Sequence, residues 1–145
     1  MSPTYRATFT NDLRNVALAR NAIASFARLC GFDSDSVADI RLAAGEALSN
    51  AAEHGRGERP GGFSVRCLFE NDEFVIEVQD SGRGFHHADG HLLGPDEHGR
   101  GFGINIMRRL MNSIAFSKNG TNVRLVKRLD DSSPRLRHPE PPPSS

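Results

Sequence analysis

Three stretches of this chain carry residue types that do chemistry, at spacings that let them act together. In "GEALSNAAEHG", residues 45 to 55, Glu46, Asn50 and His54 recur every four residues, so on a helix they lie within about 80° of one another. In "DSGRGF", Asp80 ends the alternating row Phe74, Ile76, Val78 and is followed by Gly82 and Gly84. A carboxylate at the end of an apolar row needs a partner, and the two glycines let the main chain come close to a flat ligand. In "GRGFGINIM", residues 99 to 107, Gly99, Gly101 and Gly103 lead into a helix that begins near Phe102, with Arg100 adding a positive charge. Free N–H groups at such a helix start suit phosphate oxygens. Each stretch alone has a plainer reading, as a solvated helix face, an Asx-type turn after a strand, or a hinge before a helix. Together, in this order, they supply what a nucleoside triphosphate needs. Asp80 can accept from an adenine amino group, the Asn50 amide oxygen can ligate a hard divalent cation, the 99–103 run can cradle phosphates, and Glu46 can take a proton. The glycine run does not follow the dinucleotide-binding fingerprint, because it comes after a long loop and lacks the preceding strand and the downstream acid.

The elements that must position these residues follow from periodicity. Residues 4 to 10 alternate weakly and predict a strand; Asn11 or Asp12 then caps a helix through about Leu29, ended by Gly31. "DSDS" at 33 to 36 offers N-caps for a second helix that runs to His54, where "GRGERPGG" stops it. Val37, Ile40, Ala44, Leu48 and Ala51 form its core stripe, and the polar line faces away from it, flanked by Leu42 and Ala43. Phe63, Val65, Cys67 and Phe69, then after "ENDE" Phe74, Ile76 and Val78, alternate as a hairpin. Residues 81 to 100 are rich in Gly and His without periodicity and predict a long loop, of a length that is usually functional or disordered. A helix from about Phe102 to Met111 and strands near 113–118 and 121–129, joined by an Asn119-Gly120 turn, complete the fold. The order predicts an α/β (α+β) two-layer sandwich, a mostly antiparallel mixed sheet covered by helices on one face.

At 145 residues the chain suits one domain, residues 1–130, followed by the tail "DDSSPRLRHPEPPPSS", which has almost no apolar content and is expected to be disordered. Lys plus Arg and Asp plus Glu both number 18, so nothing points to a general attraction to nucleic acid or anionic lipid, and an anionic ligand must be held locally. No apolar stretch approaches membrane-spanning length and the start lacks a signal peptide's pattern, which predicts a cytoplasmic protein. Cys30 and Cys67 have no CxxC spacing and read as small core hydrophobes.

The motifs resemble a known superfamily. "EALSNAAEH" looks like the N box, "DSGRGF" the DxGxG box, and "GRGFGINIM" with "GTNV" the later glycine and threonine boxes of the GHKL ATPases, which share the Bergerat ATP-binding fold. The resemblance covers roughly residues 5 to 129. The short chain and "DIRLAAGEALSNAAEHG" are most similar to the anti-sigma factor serine kinases of the RsbW and SpoIIAB type. The resemblance implies ATP or ADP with magnesium as ligands, Glu46 as general base, Asn50 as magnesium ligand and Asp80 as adenine contact. It further implies that Gly82 and Gly84 shape the adenine side, that Gly101 and Gly103 bind phosphates through the backbone, and that Thr121 supports the adenine end through Asp80 or a water. His54, Arg100 and Phe102 fall in the same nucleotide-binding boxes, and the loop from 86 to 98 becomes the ATP lid. That lid, "HHADGHLLGPDEH", matches least; its histidines read as exposed residues rather than metal ligands.

Two functions of different class fit this reading. In the first the chain is a protein serine/threonine kinase that phosphorylates an anti-anti-sigma partner of the STAS fold and holds or releases a sigma factor. In the second it is a non-catalytic binding module whose surface is set by nucleotide. The resemblance also admits a homodimer. A detached sensor-kinase domain fits less well, since the only His before residue 86 is His54 and no acceptor His lies on an upstream helix.

Overall fold

The structure, a computed structural model, describes residues 2–54, 61–80, 100–117 and 121–129. Strand β1 (Thr4–Thr10) leads into helix α1 (Leu13–Leu29) and helix α2 (Ser34–His54). The hairpin β2 (Gly62–Glu70) and β3 (Glu73–Asp80) follows, then α3 (Arg100–Leu110), β4 (Ser113–Ser117) and β5 (Asn122–Arg128). The caps are those the sequence offers. The Asp12 side chain accepts from the Arg14 backbone N–H, and Asp33 Oδ1 accepts from the Ser36 N–H at 2.8 Å; each satisfies a donor that a helix start leaves open. Gly31, with φ +108°, carries the chain away from α1 through backbone space that side chains disfavour. Asn71 and Asp72 both have positive φ, the two-residue turn whose twist suits a tight hairpin.

The five strands form one sheet in the order β1-β2-β3-β5-β4, and every pairing is antiparallel. The last hairpin thus places β5 in the interior beside β3 and leaves β4 at the edge. Alternation sends Phe63, Val65, Cys67, Phe74, Ile76, Val78, Val123 and Leu125 to one face, where all are buried against the helices. Phe32, after α1, packs edge-on to both Phe69 and Phe74. The opposite face is polar: Glu77 pairs with Arg66 and with Arg124, and Asn122 donates to Gln79 across β3 and β5. One covered face and one polar face make the two-layer α+β sandwich that the element order predicts.

Two boundaries differ from the sequence reading in an informative way. Helix α3 begins at Arg100, so Gly101 and Gly103 lie in its first turn rather than in its approach. Helix α2 is buried beyond its expected stripe: Ala43, Ala47 and Ala52 are also covered, while Leu42 stays 51% exposed. The cause is that α2 packs against α1 and α3 as well as against the sheet. The expected lid from 86 to 98, the Asn119-Gly120 turn and the tail from 131 lie outside the described residues.

Candidate functional site

The site begins on α2. Glu46 and Asn50, one turn apart, are both half-buried because α3 packs against α2 along their side. A Cβ on Gly103 would lie 2.7 Å from Glu46 Oε1. The carboxylate therefore rests on the first turn of α3, and only glycine leaves it room. By helix geometry the N–H groups of Arg100, Gly101, Phe102 and Gly103 have no acceptor inside α3. A carboxylate at this positive end is electrostatically favoured, and the same donors suit phosphate oxygens.

Asn50 adds an unusual feature. Its Nδ2 is buried and has no hydrogen-bond partner among the described residues. Leaving a buried donor unmade costs about 1–3 kcal/mol, so the fold retains here a polar group that protein contacts do not satisfy. The same amide carries Oδ1, a hard oxygen donor of the kind that fits a magnesium ion bringing the rest of its ligands as phosphate and water. Among the described residues no three His, Cys, Asp or Glu side chains converge on a metal.

The other side of Glu46 is open. It borders a cleft of about 220 Å³ between α1 and α2, lined also by Arg20, Arg41, Leu42 and Ser49. Arg41 donates from Nε and Nη2 to Asn21 Oδ1 at 3.2 and 3.1 Å, whereas Arg20 has its Nε buried without a partner among the described residues. One carboxylate thus faces a helix N-terminus on one side and a basic cleft on the other. These arginines escaped the sequence reading. The signal was present, since Val16, Arg20, Ile23 and Ala27 share one helical line and a charge inside an apolar stripe is uncommon.

Asp80 stands at the end of β3, 5% exposed, opposite Phe63 in register. Its backbone N–H donates to the Thr121 carbonyl at 2.8 Å, so the start of β5 and the end of β3 are joined there. The structure therefore brings together Glu46, Asn50 and Gly103 on one hand, and Asp80 with Thr121 on the other, with α2 packed across β3 between them. Gly101 lies in the first turn of α3. Gly82 and Gly84, and the side chains of His54, Arg100 and Phe102, lie outside the described residues.

The chain is similar to known proteins over most of its length. The family described as "Histidine kinase-like ATPase domain" matches residues 9–127. The chain is 29% identical over 131 residues to an anti-sigma F factor of Clostridium novyi, an alignment covering 83% of this chain and 91% of that protein. It is likewise 29% identical over 133 residues to the anti-sigma F factor of Oceanobacillus iheyensis, covering 86% and 91%. The serine-protein kinase RsbW of Listeria monocytogenes serotype 4a is 26% identical over 127 residues, covering 80% and 81%. With the family pattern running through all three helices and strands β2 to β4, the chain belongs to the histidine kinase-like ATPase domain family.

Proposed function

We propose that this chain is an ATP-dependent serine-protein kinase and anti-sigma factor. Its substrate is a STAS-type anti-anti-sigma protein, and a sigma factor is the partner it holds or releases. The observation that carries the reading is the Glu46 carboxylate lodged against the first turn of α3, with Asn50, whose Nδ2 has no partner among the described residues, one turn further on. The names of its relatives, anti-sigma F factor and serine-protein kinase, supply the partner class.

In this reading Mg-ATP supplies the γ-phosphoryl group and the cation that neutralises its charge. The residues of the chain do the rest. Asp80 accepts from the adenine amino group, and Thr121 steadies that end through the backbone bond to Asp80. The amides of the first turn of α3 hold phosphate oxygens, and Asn50 offers its amide oxygen to magnesium. Glu46 accepts the proton of a serine hydroxyl brought in through the α1–α2 cleft, where Arg20 and Arg41 offer positive charge to the incoming segment. By the family resemblance Gly82, Gly84, Arg100, Phe102 and His54 belong to the nucleotide side and residues 86–98 to its lid.

Calorimetry tests the nucleotide half directly. Titration with Mg-ATP or Mg-ADP should give saturable heat and raise Tm by mass action. Neither heat nor thermal shift at millimolar nucleotide, with a control ATPase responding, would end this reading. Binding of nucleotide and partner without transfer would support the non-catalytic module instead.

A further inference from the structure

Two charged residues end apolar rows on the helix-covered side of the sheet. Asp80 ends Phe74, Ile76 and Val78 on β3, and Lys127 ends Val123 and Leu125 on β5. Because β3 and β5 are antiparallel, the two stand at opposite ends of the sheet. Asp80 belongs to the site described above, whereas Lys127 has no part in it.

Lys127 is nevertheless fully engaged. Its side chain is only 14% exposed, and a buried ammonium must be compensated. Nζ donates to the Leu110 carbonyl at 2.6 Å and lies 3.6 Å from Asp39 Oδ2. Leu110 is the last residue of α3, so its carbonyl has no partner inside the helix, and a cation there complements the helix's negative end. The exit of α3 is held to β5 as well: the Asn112 N–H donates to the Val126 carbonyl at 2.8 Å, and the Arg128 N–H donates to Asn112 Oδ1 at 2.7 Å.

Helix geometry connects this cluster to the site. Asp39 lies seven residues before Glu46 on α2, and Leu110 seven residues after Gly103 on α3. Seven residues make about two turns, or roughly 10 Å along each axis, on nearly the same face. The two helices therefore run antiparallel and meet at two rungs. One is Glu46 against Gly103, beside the phosphate-binding turn; the other is Asp39–Lys127–Leu110 at the far end.

We propose that Lys127 is a positioning residue for phosphoryl transfer: by tying the C-terminal end of α3 to α2 and β5, it sets the angle at which the first turn of α3 meets Glu46. The inference rests on the kinase reading above, and its test separates the two. With the full chain, Mg-ATP and a STAS-domain partner, Lys127→Met should lower kcat at least about tenfold while KM for ATP stays within about threefold, since misplacement by a fraction of an ångström costs rate before it costs binding. Lys127→Arg should recover to within about threefold of wild type, because a guanidinium can donate to the same carbonyl and face Asp39. Ile23→Val, which removes a buried methyl group from α1, should lower Tm without this loss of kcat. If Lys127→Met does not fold, Asp39→Asn carries the test with a smaller expected loss of about threefold.

Wild-type kcat in these variants, no recovery in Lys127→Arg, or an equal loss in Ile23→Val would overturn the proposal. A wild-type chain that binds Mg-ATP but transfers nothing would sink the kinase reading and the transfer role with it, leaving the tie between Lys127 and the end of α3 to be tested alone. Lys127 would then be judged by hydrogen exchange at the amides of residues 107–112. Exchange there should quicken at least about tenfold in Lys127→Met and not in Lys127→Arg; unchanged exchange would overturn the inference without reference to transfer.

Discussion

At the scale of single residues, the site keeps groups that serve the fold poorly. Asn50 Nδ2 is a buried donor with no partner among the described residues, so Asn50→Ala gives up no hydrogen bond from that donor. We expect its Tm to stay level or rise, while magnesium-dependent nucleotide binding is lost in calorimetry. A clear fall in Tm with binding intact would place Asn50 among the structural residues. Gly103→Ala separates the same two roles from the other side. Alanine favours a helix interior by up to about 1 kcal/mol, but its Cβ would lie 2.7 Å from Glu46 Oε1. The carboxylate is the flexible end of a side chain and can swing away, so stability should change by less than about 1 kcal/mol while transfer falls at least about tenfold. Transfer at the wild-type rate would remove the Glu46–Gly103 contact from the mechanism. The spacing of Glu46 and Asn50 was legible in the sequence because helical period alone puts them on one line. That Asn50 Nδ2 is buried without a partner among the described residues was not legible, since burial depends on elements distant in sequence packing against α2.

At the scale of elements, local rules carried most of the reading. Asp12 as the cap of α1, Gly31 after its end and the two-residue turn at Asn71 and Asp72 are all chemistry of neighbouring residues, and the structure places each where that chemistry puts it. Gly31→Ala tests the reading: at φ +108° a side chain is strained even though the space around is open. The cost should be about 1–3 kcal/mol, seen as a Tm lower by several degrees with nucleotide affinity unchanged. An unchanged Tm would mean that the chain relaxes there at no cost. What local rules could not supply was the partner of each element. The sequence places α3 next to its glycines, but its antiparallel run along α2, which turns Glu46 from a solvated face into a covered one, is a tertiary fact. The position of β5 between β3 and β4 has the same origin, because strand order is set by long-range pairing that no window of sequence contains.

At the scale of the whole molecule, one buried layer between sheet and helices governs both stability and accessibility. Cys67, free and fully buried on β2, has its thiol pushed up to about 12 by burial, with a smaller contribution from Cys30. In the unfolded chain it ionises near the ordinary value of 9.0, so above that pH the unfolded state sheds a proton that the folded state keeps. Stability is therefore full below about pH 9 and declines as pH rises towards about 12. Burial raises the Tyr5 hydroxyl and the Cys30 thiol in the same direction. Tm should fall more steeply between pH 9 and 11 in wild type than in Cys67→Ala, compared by calorimetry; parallel slopes would contradict the assignment. No helix among the described residues is long and apolar enough to cross a membrane, and the catalytic part of the functional reading is carried by Glu46 at the start of α3. The most direct test is transfer of labelled phosphate from ATP to a serine of a cognate STAS-domain partner, with Mg-ATP affinity measured beside it for wild type and Glu46→Gln. The account predicts a labelled serine in wild type, and in Glu46→Gln an affinity within about twofold but transfer lower by about a hundredfold or more. A wild-type chain that binds nucleotide and partner yet never labels the serine, or Glu46→Gln with undiminished transfer, would contradict it.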